Sequence, residues 1–444
     1  MSPKLRFRLR FRLLALLLAC TARPALALAA ETAAEQVPSA SASELTGDWG
    51  GLRSKLSKGG LDLTGGYTNE TATNVSGGLH HDAAQTGQFS LGVTGDAQKL
   101  FGIEGGTFQA TVTYRQGDNL VSRAGLNTLL QVQEVYGRGE TTRLTEFWWD
   151  QQLGGGVDVK FGRLPAGGDF SSFSCDYMNG SFCGAPVGNI AGDFWYNWPV
   201  SQWAARVRVQ HGDLYAQAGV YEVNPKNLDN GFTLGHFSGA AGVMTPVEAG
   251  LHTRFGPNGL PGLYQIGGWF SSARAPDVLL GADGEPAVLA GSTMLERSGR
   301  YGGFVILRQQ LTGTAAPDAV KGPQTKVGLS AFLTVTQTDR QTETIDNQIT
   351  AGLRYLGLFA SRPNDMIQLG VARTHVNTRA ADLDGLQSPT GERPGSEYEL
   401  EADYGVQVLP WLNVQPNVQY VVNPGGYADR PDAVVIGVKT AVTF

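Results

Sequence analysis

Arg115, Arg206, Arg208 and Arg254 each lie on the polar side of a stretch in which apolar and polar residues alternate, and Arg163 closes another such stretch. A guanidinium is a rigid fork of donors that suits vicinal hydroxyls or an anion. Aromatic rings supply flat faces for the C–H side of a saturated ring. The segment 164–202 is rich in them, with Phe170, Phe173, Tyr177, Phe182, Phe194, Trp195, Tyr196 and Trp198. The same segment holds Cys175 and Cys183, which enclose seven residues and can close a disulfide in an oxidising compartment. On the loop-entropy account such a clip contributes about 2–3 kcal/mol. A metal site needs further ligands of suitable type, and none lies near in sequence, so no metal is expected.

Enzymatic chemistry finds little to work with, and no enzyme or cofactor is expected. The histidines (His80, His81, His211, His236, His252, His375) form no HExxH pair. No GxSxG or phosphate-binding GxxxxGK[ST] run occurs. Carboxylate pairs such as Glu399 and Glu401 are what an alternating strand face supplies by chance.

The elements that must position these residues are strands. In 108–115 (FQATVTYR), Phe108, Ala110, Val112 and Tyr114 share one face, and Gln109, Thr111, Thr113 and Arg115 the other. Ala205, Val207 and Val209 oppose Arg206, Arg208 and Gln210 in the same way. Val247, Ala249, Leu251 and Phe255 oppose Glu248, His252 and Arg254, and Leu400, Ala402 and Tyr404 oppose Glu399, Glu401 and Asp403. The runs reach about 9–11 residues, the length of a tilted membrane strand rather than the roughly 5–6 of a globular one. The one expected helix is short, at 49–57. Glycine-rich turns near 105, 155 and 256–259 alternate with long segments at 164–202, 224–246, 274–300 and 376–396. Short turns at one rim and long loops at the other suit an outer-membrane barrel. In a soluble sandwich the arginines would be solvated charges; in a barrel they line the lumen. The pinned aromatic loop is expected to fold into that lumen rather than cap it from outside. Trp148 and Trp149 fit either lumen or interfacial belt, whereas Trp269 shares a face with Gln265 and is expected inside.

Composition agrees. Charged residues make up 17% and hydrophobic ones 41%, with 60 Gly and a mean hydropathy of -0.15, which excludes a disordered chain. Three Cys exclude a disulfide scaffold. Residues 1–30 read as a signal peptide: Lys4, Arg6, Arg8, Arg10 and Arg12, then an apolar 13–19, then Ala27 and Ala29 at a cleavage pattern. A weak lipoprotein-like box ending at Cys20 competes less well. Without 1–30 the chain holds 28 basic and 40 acidic residues, a net of −12. Nucleic acid or an anionic lipid surface would call for a basic patch, and neither is expected as a partner. Residues 31–44 read as a flexible leader, 45–58 as a short periplasmic helical segment, and 59–444 as the barrel domain.

LTGDWGGLR at 45–53, EVYGRGETTR at 134–143, FGR at 161–163 with GDF at 168–170, and WAARVR at 203–208 resemble the carbohydrate-selective outer-membrane porins of the OprB family. GVYEVNP at 219–225, PVE at 246–248, PWL at 410–412 and NPGG at 423–426 continue the resemblance. It implies an all-β transmembrane antiparallel barrel of about 16 strands that passes small sugars through an arginine-containing constriction. Carried over by motif are Arg163, Arg206 and Arg208, with Asp169 beside the pinned loop. Alternation adds Arg115 and Arg254, and the loop adds Trp195. The final strand, ending in Phe444, resembles the assembly signal read by the barrel assembly machinery, with outer-membrane lipid around the barrel and a monomer or homotrimer as the assembly. Competing readings are a general or anion-preferring channel and a barrel enzyme or adhesin.

Overall fold

The computed structural model describes residues 43–315 and 325–444. The expected signal peptide and nearly all of the leader lie outside the described residues.

Sixteen long antiparallel strands form a closed barrel among the described residues. They are β1 (Leu61–Ser76), β2 (Ala83–Asp96), β3 (Gly106–Gly117), β4 (Thr141–Gly154), β5 (Val157–Leu164), β6 (Gln202–His211), β7 (Leu214–Val223) and β8 (Gly242–Phe255). The ring continues with β9 (Leu260–Ser271), β10 (Arg300–Gln310), β11 (Thr325–Thr338), β12 (Ile345–Leu356), β13 (Met366–Val376), β14 (Ser396–Leu409), β15 (Leu412–Val422) and β16 (Ala433–Thr443). Closure falls on β1, where Gly66 stands opposite Ser90 of β2 and Thr443 of β16. A closed ring leaves no edge with unpaired backbone groups, which a lipid environment requires.

The period-two pattern is realised face by face. On β7, Tyr215, Gln217 and Tyr221 are buried inside, while Leu214 and Val220 are exposed outside. On β3, Thr111, Thr113 and Arg115 are inside, and Val112 pairs outward with Leu91 and Leu144. The long connections 165–201, 224–241, 272–299 and 377–395 share one rim, as expected, and 118–140 joins them there. At the other rim, β4–β5 and β6–β7 are joined by two residues each.

The expected helix at 49–57 divides into a 3-10 turn (Trp49–Gly51) and α1 (Leu52–Lys58). Gly50 and Gly51 take φ of 67° and 95°, which bends the chain between them. Asp48 then accepts from the Ser54 amide and hydroxyl at 2.8 Å each. Arg53 of α1 donates to Leu63 O at 2.9 Å and to Phe444 O at 2.5 Å. The 45–53 motif therefore fastens the first strand to the last residue.

Candidate functional site

β5 is eight residues long because the chain leaves the wall at Leu164 and turns inward through a helical turn at Ala166–Asp169. The segment 165–201 crosses the lumen, as the aromatic content predicts, and is not an external cap. Phe170, Phe194 and Trp195 pack with Tyr221, Trp269 and Phe304 of the wall, Trp195 meeting Trp269 edge-on at 5.3 Å. Cys175 and Cys183 are disulfide-bonded, with Cα atoms 4.5 Å apart. Glycines on the wall make room for the plug: a Cβ on Gly437 would lie 2.5 Å from Met178 Cε. A second segment enters from 118–140, and Glu134 N donates to Met178 O at 2.8 Å.

One side of the lumen holds this plug by carboxylates. Glu397, Glu399, Glu401 and Asp403 occupy four successive inward positions of β14, all buried. Glu401 accepts the amides of Met178 and Asn179 at 2.7 and 2.9 Å. Glu397 accepts those of Leu129 and Gly425 at 2.9 and 2.7 Å. From β16, Lys439 donates to Glu134 at 2.8 Å and to the carbonyls of Cys175 and Tyr177 at 3.0 and 2.9 Å. Burial, and then the nearby Glu401, Asp403 and Asp176 charges, push the Tyr177 phenol well above its usual range. The chance reading of Glu399 and Glu401 is therefore corrected. Two rungs of the ladder, Glu397 and Glu401, accept loop amides that have no secondary-structure partner, while Asp403 accepts from Gln415 and Asn417 at 3.0 and 2.8 Å.

The other side carries cations. Arg206, 6% exposed, is ion-paired to Asp158, lies 3.3 Å from Asp150 and holds Asp169 at 3.7 Å. Lys160 also meets Asp169, at 3.0 Å, and lies 4.2 Å from the centre of the Trp148 ring. Two residues along the same face, Arg208 lies over the Tyr215 ring at 3.9 Å, and its one hydrogen-bond partner among the described residues is Gln210 at 3.4 Å. Arg254 is exposed at the short-turn end of β8. Beyond them, Arg308 and Arg354 border a cavity of about 290 Å³ with Phe173 and Phe332.

The expected residues thus part company. Asp169 and Arg206 meet, and Arg208 and Arg254 lie on the lumen wall. Arg163 is elsewhere. It shares its strand face with Val157, Val159 and Phe161, and donates to Asn227 Oδ1 at 3.0 Å, Ser201 O at 2.5 Å and Thr233 Oγ1 at 2.7 Å. Arg143 holds the neighbouring carbonyls of Asn227 and Asp229 at 2.9 and 2.6 Å. Because β5 ends early, the β4 edge beyond Phe147 lacks a strand partner, and the segment 227–233 fills that place. Through these bonds Arg163 fastens this patch. Arg115 is likewise occupied, donating to Gln88 at 2.7 Å behind the 134–137 segment, and Trp195 is buried in the plug. Of the tryptophans, Trp269 is inside as expected, Trp148 faces Lys160, and Trp149 stacks near Phe108 at 6.4 Å.

Lys160, Arg308 and Arg354 were missed as candidates. Arg354 does stand on an alternating run, opposite Leu353 and Tyr355. Arg308 follows Phe304 and Ile306, inward residues that are apolar because they meet the plug, so the polar positions of its face are confined to the strand's two ends, at Arg300, Arg308 and Gln310.

The model of the family "Carbohydrate-selective porin, OprB family" matches residues 80–444. Porin B of Pseudomonas aeruginosa is 41% identical over 443 residues, 95% of either chain. A putative porin, QuiX, of Acinetobacter baylyi is 32% identical over 427 residues, covering 90% of this chain and 93% of the other. The high-pH structure of Pseudomonas putida OprB superposes with a TM-score of 0.84 at 40% identity, covering 91% of this chain and 99% of that one. The plugged sixteen-stranded barrel is accordingly a channel rather than an enzyme, and the chain belongs to the OprB family of carbohydrate-selective porins.

Proposed function

We propose that the chain passes monosaccharides such as glucose by passive diffusion across the outer membrane, along the side of the lumen formed by β6 to β12. The observation that carries this reading is Arg208. Its guanidinium lies on an aromatic ring, and among the described residues no carboxylate comes within ion-pair distance of it. Donors held in place by a ring and not engaged by an acid are open to hydroxyls. Each charge-assisted hydrogen bond contributes about 1.5–3 kcal/mol. A millimolar dissociation constant, about −4 kcal/mol, is as tight as a channel that must release its solute can use. A general or anion-preferring pore would not need the aromatic plug that borders this wall.

Within the same reading, residues 1–30 direct export, 31–44 form a leader, 45–58 a periplasmic helical segment and 59–444 the barrel. Phe444 lies on the outer face, stacked 6.4 Å from Phe89, where the assembly machinery and outer-membrane lipid would meet it. Monomer and homotrimer are both compatible with the fold. Planar-bilayer recordings test the central part. Glucose should block the current saturably in the millimolar range, and a current indifferent to glucose would refute sugar selectivity.

A further inference from the structure

We infer that the cavity beside Phe173 and Phe332 takes a carbohydrate that carries a carboxylate, such as a hexuronate; this rests on the carbohydrate-channel reading. The cavity, about 290 Å³, is bordered by Arg308, Arg354, Gln310 and Ser330 as well as the two rings. Phe173 and Phe332 meet edge-on at 5.0 Å, leaving apolar surface for the C–H side of a pyranose. Arg354 is paired with Asp176 at 2.8 Å, and Asp176 also accepts from Ser174 at 2.9 Å.

Arg308 is different. Its partner is the neutral amide oxygen of Gln265 at 2.7 Å, and among the described residues no carboxylate lies within ion-pair distance. Of the acids on that side, Glu248 is already engaged by Tyr215 at 2.7 Å, Gln217 at 2.9 Å and the Ser171 amide at 2.7 Å, and Asp176 by Arg354. Arg308 Nε is buried without a hydrogen-bond partner, as is Gln310 Oε1 on the same wall. The cavity therefore offers one guanidinium with no paired acid among the described residues, the Ser330 hydroxyl and the apolar surface of two rings. A carboxylate fits the guanidinium fork, a sugar hydroxyl can donate to the Ser330 Oγ, and the C–H side of the pyranose can lie against the ring surface that borders the cavity. A neutral hexose satisfies all but the charge, and a small anion satisfies only the charge.

The test is single-channel block by D-glucuronate, D-glucose and acetate. Glucuronate should block at about tenfold lower concentration than glucose, roughly 1.4 kcal/mol, and acetate should not block. Arg308→Gln should bring the two sugars to about the same concentration, while Arg308→Lys keeps part of the preference. Should Arg308→Gln fail to assemble, the unmodified channel decides. Its glucuronate preference should shrink between about 0.1 and 1 M salt as screening sets in, and glucose block should not. Equal block by both sugars, block by acetate, or a preference surviving in Arg308→Gln would each overturn the inference. Absence of block by either sugar would instead overturn the channel reading beneath it.

Discussion

On β14, four inward carboxyls in a row face the plug, and two of them are tied to loop amides. On β6, across the lumen, Arg206 is ringed by three carboxylates, whereas Arg208 two residues on has none. Both regions are polar strand faces of the same barrel, and alternation alone does not tell them apart. The difference lies in what each charge touches. Charges that meet the plug are consumed in holding it, and only those beyond its edge remain available to a solute. A charge in a lumen is thus evidence for a binding site only after its partners have been counted.

The comparison can be broken on a single strand. Arg206→Ala would leave Asp150, Asp158 and Asp169 sharing Lys160, a loss of about 3–5 kcal/mol for an ion network this buried. Arg208→Ala removes no ion pair and should cost about 1 kcal/mol or less. Urea unfolding in detergent, followed by the shift between folded and unfolded gel mobility, would measure both. Equal costs would mean that the division between engaged and open arginines is wrong.

Next in size is the acid ladder. Glu401→Leu leaves the Met178 and Asn179 amides without their acceptor and should cost about 2–3 kcal/mol. The same channels should show a noisier open current as the plug loosens. Quiet channels would assign the plug's order to packing alone. Replacing both Cys175 and Cys183 by Ser removes a clip of about 2 kcal/mol. The barrel should still assemble, because the ladder keeps its hold on Met178, and the noise should rise less than in Glu401→Leu.

The smallest effect concerns the rim. Burial would raise the Asp277 carboxyl, but the amides of Leu280 and Leu279 and the guanidiniums of Arg297 and Arg379 bring it below its usual value. A depressed carboxyl contributes stability above its unfolded pKa, about 3.9, and loses it as pH falls through the lower folded value. Protease resistance of the 272–299 loop should hold at pH 5 and fall off below about pH 4. A loss already complete at pH 5 would point to another group.

Strand faces were legible because lipid outside and polar groups inside impose a period of two, and Val207 and Arg206 obey it. The plug was legible from its aromatics and paired cysteines. The roles of the arginines were not. Whether Arg163 lies in the lumen or in a wall patch depends on where β5 stops and on the segment 227–233 that takes its place, contacts about 65 residues apart in the chain. Arg308 was hidden because the middle of its strand is apolar on both faces, one meeting lipid and the other the plug.

The most direct test sets Arg208 against Arg163. Both fall in the FGR and WAARVR segments, and they differ in whether the lumen wall or the rim patch holds them. Glucose block of single channels should be compared in Arg208→Ala and Arg163→Ala. Arg208→Ala should weaken glucose block about tenfold and raise ion conductance, while Arg163→Ala should leave the half-blocking concentration unchanged in the channels that assemble. Unchanged block in Arg208→Ala together with lost block in Arg163→Ala would contradict this expectation.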